Sequence, residues 1–292
     1  MTLITILVSL LIERYVHRLE DYRHVNWVNS YVNWACKKMA NVKWADGPVC
    51  VIMLIAPILI IISVITYFLH DIHSFFSFLF GIFILSYSIG PKRMHEQVQD
   101  FIESRKQGDN EGALLHLGNV LDDDIPSNET LLILKLNKEI FIQTSRRLLS
   151  VLFWFAIHGP IGAALFRLAC VIQEEKNRTQ DESEFSLAAI RLQYILHWIP
   201  SRLTALSYAI SGSFVHAQEC WRETSENNTS SDKNNDILTC IGLSAAQTGT
   251  ATEGDKESLD IDSVNESLKL CMRSILVWVT IIAVMTLAGW MT

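Results

Sequence analysis

The sequence lacks the motifs that mark several large protein classes. It contains no glycine-rich phosphate loop, no nucleophile elbow, no internal repeat and no C-x-x-C pair. With 24 basic against 31 acidic residues, it also lacks the positive charge of nucleic-acid-binding proteins. Its first apolar run, residues 2–12, has neither a positive n-region nor a small-residue cleavage site, which predicts that the run stays in the mature protein. We therefore expect no nucleic-acid partner and no cofactor.

Cysteine and histidine are scarce and scattered. The six cysteines lie far apart, and several adjoin apolar segments. This pattern favours buried free thiols over a disulfide framework or a zinc site. Two histidines flank an aspartate in the segment 70–73, but such surface groups are usually solvated, and we expect no metal there. The cysteines are Cys36, Cys50, Cys170, Cys220, Cys240 and Cys271.

Long apolar runs dominate what is present. Hydrophobic residues make up 50% of the chain and are bunched rather than spread at amphipathic spacing. Bunching predicts an all-α, multi-pass helical membrane protein with cytoplasmic helical segments. The run Pro48–Leu69 carries no charge over 22 residues, and with Ser74–Ile89 it predicts a transmembrane helical hairpin over 48–90. A final apolar run predicts a C-terminal transmembrane helix over 273–291.

The N-terminal segment, residues 1–22, fits two arrangements. As a helix, its apolar run Thr2–Ile12 is about 16 Å long, roughly half of the hydrocarbon core of a bilayer. To span the membrane, the helix has to continue through Glu13 and Arg14, and the two charges then need partners. The alternative is an amphipathic helix that lies in the interface. The sequence leaves both arrangements open.

Basic residues flank the apolar runs and predict the orientation of the chain. Cytoplasmic loops of membrane proteins carry an excess of lysine and arginine. This rule predicts a multi-pass protein of the bacterial inner membrane, with the tip of the hairpin in the periplasm and residues 91–147 as a cytoplasmic helical segment. The flanking residues are Lys37, Lys38, Lys43, Lys92, Arg93, Arg146 and Arg147.

The apolar segment 148–172 is interrupted at Gly159-Pro160. A break at membrane depth is tolerated only where protein or water covers the freed backbone groups. The segment is therefore either a kinked span or a re-entrant pair of half-helices. The two alternatives place residues 173–272 on opposite sides of the membrane.

A polar tract over 223–268 is rich in serine, asparagine, threonine and acidic residues. Such a composition buries little apolar surface, so we expect an acidic flexible linker with at most a short helix over 236–246. Deletions between Ser225 and Ser258 are then expected to leave folding and membrane insertion intact.

The run Leu196–Leu206 joins an aromatic residue, a proline and an arginine within apolar sequence, and lies in a polar segment over 173–222. Because proline is tolerated where a helix starts, Pro200 is expected to open a helix whose backbone N–H groups point at an anion. Arg202 is costly in a membrane unless it is paired or binds a ligand. The plainer alternative is an interfacial arginine that extends to the lipid phosphates.

The charges near this motif predict a polar pocket that binds an anionic small ligand or holds an ion pair, with Glu13 as the carboxylate. Membrane lipid is the other expected partner, and no side chain is expected to be catalytic. The candidate pocket residues are Glu13, Arg14, Arg167, Trp198, Pro200 and Arg202.

Four short motifs carry a resemblance to a known family. They are Met1-Thr2-Leu3 with Glu13-Arg14, Leu152-Phe153-Trp154-Phe155, Gly159-x-x-Gly162-Ala163 with Phe166-Arg167, and Trp198-Ile199-Pro200-x-Arg202-Leu203. Together they resemble the AmpE family, inner-membrane proteins tied to β-lactamase induction. That family is similar to a wider group, which includes the membrane enzyme that makes adenosylcobinamide phosphate in cobalamin synthesis.

The chain departs from the synthase branch at acidic positions. Where that branch has an acidic segment before its Leu-Phe-Trp motif, this chain has Ile142, Gln143, Arg146 and Arg147. Gln173 replaces a later aspartate, and Gln193 and Tyr194 replace an acidic pair before the Pro-x-Arg motif. Amidation coupled to ATP needs a metal-held triphosphate, and carboxylates usually hold that metal. The resemblance therefore implies that the synthase activity has been lost.

Two functions follow from the resemblance. The first is a non-enzymatic regulatory and signalling protein that works with a cytoplasmic muropeptide amidase in cell-wall recycling and β-lactamase induction. The second is a membrane enzyme that acts on a cobamide-like or cell-wall intermediate, with Arg167, Trp198 and Arg202 in an anion pocket. A transporter is supported only by the break at Gly159-Pro160 and by Pro200.

Overall fold

The computed structural model describes residues 2–15, 30–32, 47–89, 93–118, 120–121, 126, 128–179, 183–226, 232–247 and 261–289. Every regular element in these ranges is a helix, so the prediction of an all-α fold is confirmed. The helices are α1 (Thr2–Tyr15), α2 (Pro48–Ile72), α3 (Ser74–Ser88), α4 (Arg93–Lys106), α5 (Asn110–Leu117), α6 (Glu129–Thr144), α7 (Ser150–Thr179), α8 (Glu184–Ser211), α9 (Phe214–Glu226), α10 (Lys233–Ala246) and α11 (Ile261–Leu287), with a π-helical turn (Ser145–Leu149) between α6 and α7.

Three helical stretches of the described chain are long and apolar enough to cross a membrane: Pro48–Ile72, Glu129–Glu175 and Ile261–Leu287. The chain is therefore a membrane protein. Helices α2 and α3 meet at His73, whose Nδ1 accepts a hydrogen bond from the backbone N–H of Phe75 at 3.2 Å and so caps α3. The turn between the two apolar helices consequently needs only one residue.

The structure divides into two compact units. Unit 1 comprises Met1–Gly90, Arg146–Ile199 and Ile282–Thr292, and unit 2 comprises Pro91–Ser145 and Pro200–Ile281. In unit 1, α2 packs through Leu54 and Ile55 against Leu168 and Ile172 of α7 and Phe185 of α8. Apolar side chains on the opposite face of α2, such as Ile60 and Ile61, stay exposed and suit contact with lipid.

The N-terminal helix α1 belongs to unit 1 and packs against α3 and α7. Ile6 and Ser9 are fully buried, whereas Ile4 and Leu11 on the other face are exposed. A Cβ atom on Gly81 of α3 would lie 3.5 Å from the methyl group of Thr5, so the two helices are in close contact. Fourteen residues make a helix of about 21 Å, shorter than a hydrocarbon core of about 30 Å. The choice between a spanning and an interfacial helix stays a prediction.

The chain changes direction at Gly159, within the stretch that sequence analysis left open. Gly159 has φ 60° and ψ −146°, which are not helical angles, and it separates two helical parts of α7. The Arg146 side chain reaches Gln173 at 2.8 Å, although a straight helix would hold the two residues about 40 Å apart. The chain therefore folds back at Gly159 and does not continue as one straight helix, and the choice between a re-entrant segment and a kinked span in the membrane stays a prediction.

Unit 2 has a continuous apolar core built from two distant parts of the sequence. Leu136 and Phe141 of α6 pack with Tyr208 of α8, Ile241 of α10 and Val264 of α11. The Tyr208 hydroxyl donates a hydrogen bond of 3.0 Å to the Phe141 carbonyl, and the two rings meet edge to face at 5.2 Å. Burial raises the pKa of the Tyr208 hydroxyl well above its ordinary value, so this donor keeps its proton throughout the physiological range.

The shared core of unit 2 settles a question of topology. Residues 93–145 and 200–272 contribute side chains to one close-packed cluster. A bilayer with a core of about 30 Å cannot separate groups in van der Waals contact. We therefore expect the two segments to lie on the same side of the membrane.

We predict that engineered cysteines in the two segments respond alike to an impermeant maleimide. Asp109→Cys and Glu219→Cys replace exposed residues of unit 2, and the positive flanks place both in the cytoplasm. In spheroplasts both are expected to stay unlabelled while Asp71→Cys, at the tip of the α2–α3 hairpin, is labelled. Inverted vesicles are expected to give the reverse. Opposite labelling of positions 109 and 219 would contradict the shared core.

The short helix expected over 236–246 within the linker tract is present, but it begins at Lys233 and is part of the core. This helix is α10, whose Ile237, Leu238 and Ile241 are buried in the core of unit 2. Asp232 caps the helix, since its side chain accepts a hydrogen bond from the Asn235 backbone N–H. Average composition concealed the burial of this helix, and a deletion between Ser225 and Ser258 that includes it would open the core.

We predict that Gly242→Ala destabilises unit 2. A Cβ atom at position 242 would lie 2.6 Å from the Phe141 ring, and overpacking a core costs about 1–3 kcal/mol. That cost exceeds the helix-propensity gain of about 1 kcal/mol from replacing glycine. Thermal unfolding in detergent should show a lower midpoint. Gly118→Ala is the matched control, because its Cβ meets only the Leu115 carbonyl at 3.6 Å. Equal midpoints for the two variants would refute the predicted clash.

The expectation that the cysteines are free thiols is wrong for one pair. Cys220 of α9 and Cys240 of α10 form a disulfide with a Cα–Cα distance of 6.0 Å, a normal separation for such a bond. The sequence separation of 20 residues does not reveal this contact, because it depends on the packing of α9 on α10. Cys50, Cys170 and Cys271 are free and buried as expected, and Cys36 lies outside the described residues.

Candidate functional site: a buried polar cluster in unit 1

The site begins at the π-helical turn Ser145–Leu149, which contains Arg146 and Arg147. A π turn has poorer backbone geometry than an α-helix, and single π turns inside helices are frequent at functional sites. Here the turn lies between two apolar helices, so its arginines are carried into an otherwise hydrophobic neighbourhood. The local irregularity is the first indication that this place has a role beyond packing.

Arg146 is held by the second half of α7. Its Nη2 donates a hydrogen bond of 2.8 Å to Gln173 Oε1, across 27 residues of sequence. The reversal at Gly159 makes this contact available, because it returns the helix past the π turn. Gln173 is 7% exposed, and the bond therefore lies in an environment where a charge-assisted hydrogen bond is strong.

Gln193 of α8 and Arg167 of α7 complete the cluster. Both side chains are buried. The charges of Arg167 and Arg146 interact electrostatically with the buried thiol of Cys170, and the Gln193 side chain lies beside that thiol. Glu174 lies about one helical turn from Cys170 on α7 and is the carboxylate that interacts electrostatically with its thiol. The Glu174 side chain is exposed. We call Arg146, Arg167, Cys170, Gln173 and Gln193 the α7–α8 polar cluster. It contains two guanidinium groups and two amides.

Pro200 lies inside α8 and does not open it. The helix runs without interruption from Glu184 to Ser211, so the prediction of a helix start at Pro200 is wrong. A proline has no N–H for the carbonyl four residues earlier, here that of Leu196. The indole Nε1 of Trp154 donates to this Leu196 oxygen at 3.1 Å. A partner from α7 thus satisfies the acceptor that proline frees, and the helix continues.

The predicted pocket residues are distributed over both units. Glu13 and Arg167 lie in unit 1, whereas Arg202 lies in unit 2 and donates from Nη1 to Asn234 Oδ1 at 3.0 Å. Trp198 is 47% exposed, and Pro200 is buried. The side chain of Arg14 lies outside the described part of the structure. A common pocket for these six residues stays a prediction.

Sequence reasoning noticed Arg146, Gln173 and Gln193 only as departures from an acidic pattern and did not include them in the site. The feature that could have revealed the site is that each of these three residues replaces a carboxylate of the acidic pattern. Their convergence on Cys170 depends on the chain reversal, which no local pattern reveals. Asn234 was missed because it lies in the tract interpreted as a linker.

A second candidate lies in unit 2, where a cleft of about 350 Å³ forms at the ends of α8 and α10 and along α11. Its charged lining residues are Glu266 and Arg273, one of each sign. A Cβ on Gly212 would come within 2.4 Å of the Ala245 carbonyl oxygen, so the two helix ends touch here. The cleft has balanced charge, whereas the α7–α8 polar cluster concentrates hydrogen-bond donors.

Comparison with known proteins covers the segments that build this cluster. The family model described as CobD/Cbib protein matches residues 6–249, most of the chain. This chain belongs to the CobD/Cbib family. The matched region includes the π turn, both halves of α7 and all of α8.

Two curated relatives of the CobD/Cbib chain are each described as a cobalamin biosynthesis protein CobD. The one from Chromobacterium violaceum is 26% identical over 141 residues, which are 48% of this chain and 45% of the relative. The one from Stutzerimonas stutzeri is 35% identical over 74 residues, which are 25% of this chain and 24% of the relative. The alignments therefore span less than half the length of these relatives. No solved structure matches.

Family membership corrects the first functional interpretation. The assignment to AmpE is not supported, and a non-enzymatic role in β-lactamase induction and signalling is contradicted, because the family model and both relatives belong to cobalamin biosynthesis. The muropeptide amidase as partner was inferred from that role and stays a prediction. The short motifs quoted for AmpE did not separate that family from the CobD/Cbib family, whose model matches the chain.

Proposed function

We propose that this chain is an inner-membrane enzyme of cobalamin biosynthesis that acts on a cobamide-like intermediate. The observation that carries the proposal is the match of the CobD/Cbib family model over residues 6–249. Two of the three candidate membrane spans, Pro48–Ile72 and Glu129–Glu175, and the buried polar cluster lie within the same region. A chain kept only as a membrane anchor has no need for buried arginines.

In this proposal, the α7–α8 polar cluster binds the anionic part of the intermediate. Arg146 and Arg167 supply positive charge, and Gln173 and Gln193 supply amide groups. Arg202, which donates to Asn234 in unit 2, is a second candidate anion-binding residue, as the Pro-x-Arg motif suggests. Positioning of substrate groups by fixed charged donors is a major source of rate enhancement in ligation reactions.

The proposed enzyme differs from the acidic pattern of the synthase branch at the cluster itself. Arg146, Gln173 and Gln193 stand where that branch carries carboxylates. Among the described residues, no group of three or more histidine, cysteine or acidic side chains is arranged to hold a metal ion. We assign the cluster to the binding of an anion because its buried side chains include two arginines and two amides.

The proposed function is tested by deleting the gene in its host and measuring corrinoids by mass spectrometry. Growth without added cobalamin is expected to stop or slow, and an incomplete corrinoid should accumulate. Expression of the intact chain from a plasmid should restore the complete cobamide. A chain with Leu136→Asp, which places a charge in the unit 2 core, is the inactive control. A deletion strain with an unchanged corrinoid profile would refute the proposal.

A further inference from the structure

The α7–α8 polar cluster contains hydrogen-bond donors that the protein itself does not satisfy. Arg146 Nε and Gln193 Nε2 are both buried and have no hydrogen-bond partner. Gln193, at 3% exposed, lies beside the Cys170 thiol, but sulfur is a weak acceptor. Buried donors without acceptors are unfavourable, and two of them beside buried arginines point to an external acceptor at this place.

The charge of the cluster is also uncompensated within the described chain. Arg167 is 9% exposed, and neither Arg167 nor Arg146 forms an ion pair with a carboxylate among the described residues. Glu174 acts on the same Cys170 thiol but has an exposed side chain, and Glu175 beside it is buried and has contacts of its own. A buried guanidinium needs an anionic partner, and the described residues do not supply one here.

We infer that the α7–α8 polar cluster is a binding site for a phosphate group, held directly by side-chain donors. Phosphate oxygens only accept hydrogen bonds, and this cluster offers donors from two arginines and Gln193. Arginine presents a planar fork of N–H groups that matches phosphate in geometry and charge. A cation is disfavoured, because the buried groups of the cluster carry no carboxylate other than Glu175, which has other contacts.

Access to the cluster comes through the π turn. Arg146 is only partly buried, so part of its guanidinium faces outward while Nε and the bond to Gln173 are inside. The turn follows α6 and precedes the apolar first half of α7. The phosphate can therefore come from a soluble phosphorylated compound or from a lipid headgroup, and both offer the same oxygens.

This inference rests on the proposed function, because the phosphate group that we place in the cluster belongs to the intermediate of the proposed reaction. Its test contains no corrinoid, however, and so can fail separately. The purified chain in neutral detergent is titrated with inorganic phosphate at constant ionic strength, and thermal unfolding is recorded. Saturating phosphate should raise the midpoint by roughly 2–4 °C. In a second arm, vesicles of phosphatidylglycerol replace the phosphate.

Three variants decide the outcome. Arg146→Gln and Arg167→Gln remove one charge each and should abolish the rise, whereas Arg191→Gln, at an exposed position of α8, should keep it. Gln193→Met removes only a donor and should weaken phosphate binding at least about threefold. If phosphate acts, the source is soluble; if only phosphatidylglycerol acts with the same variant dependence, the source is lipid. No rise in either arm, or an equal rise in all variants, would overturn the site.

Discussion

Arg146→Glu is expected to reduce corrinoid production in the complemented deletion strain by at least about 30-fold. The change places a carboxylate beside the Gln173 amide oxygen, which now accepts a hydrogen bond of 2.8 Å from the arginine. The amide can turn and donate to the new carboxylate, but the positive charge that holds the proposed anion becomes a negative charge that repels it. Truncating or inverting one partner of a buried, hydrogen-bonded charged pair costs about 2–5 kcal/mol, which corresponds to a factor of 30 or more.

The loss should be specific to this arginine. Arg191→Glu makes the same change of charge on the exposed surface of α8, where screening leaves little effect. Arg146→Lys keeps the charge but loses the planar fork, and an intermediate yield is expected. Membrane extraction and an antibody against the C-terminus would show equal amounts of each variant. Equal corrinoid yields from Arg146→Glu and Arg191→Glu would show that the α7–α8 polar cluster has no role in the proposed activity.

Phe141→Ala is expected to lower the unfolding free energy of the chain by about 3–5 kcal/mol. Phe141 is fully buried, its ring packs on Tyr208, and its carbonyl accepts the Tyr208 hydroxyl. It also fills the space left by the missing side chain of Gly242. Removal of the ring opens a cavity between α6, α8 and α10, where relaxation is limited by three helices. Denaturation in detergent, followed by tryptophan fluorescence, measures the loss.

A double variant makes this prediction sharper. In the Phe141→Ala background, the Cβ of Gly242→Ala has no ring to meet, so the second change should be neutral or stabilising there. The coupling energy between the two positions is expected to be about 1–3 kcal/mol, as for residues in contact. Additive effects would show that Phe141 and Gly242 do not pack against each other in solution.

The apolar helices could be predicted from sequence because each is locally determined. An uncharged run such as Pro48–Leu69 has few alternatives to a membrane helix, and the turn at His73 follows from the short polar interruption. The all-α class followed from the same runs. These features need no knowledge of distant contacts.

The wrong predictions share a cause. In each case, a contact with a residue distant in sequence outweighs the local sequence pattern. Pro200 breaks no helix because Trp154, 42 residues away from Leu196, satisfies the freed carbonyl. The burial of α10 was missed because its apolar residues find their partners on the distant helices α6 and α8. Cys220 and Cys240 meet only through the packing of α9 on α10.

The site could be predicted only in part. Arg167 was identified as a costly charge in an apolar segment, and its burial agrees with that reasoning. Arg146 and Gln193 were seen as replaced carboxylates, but their side chains lie 47 residues apart in sequence and meet around Cys170 only after the reversal at Gly159. Positive φ at one glycine thus decides the composition of the cluster, and a pattern of residue types does not encode such a reversal.

The most direct test of the account uses the corrinoid that accumulates in the deletion strain. The purified chain, reconstituted in lipid nanodiscs with ATP and magnesium, is incubated with this corrinoid, and the mixture is followed by mass spectrometry. Wild-type membranes provide the positive control. The account predicts conversion to the next corrinoid of the wild-type strain, with little conversion by Arg146→Glu. An unchanged corrinoid in the presence of the pure chain, while wild-type membranes convert it, would contradict the proposed enzyme.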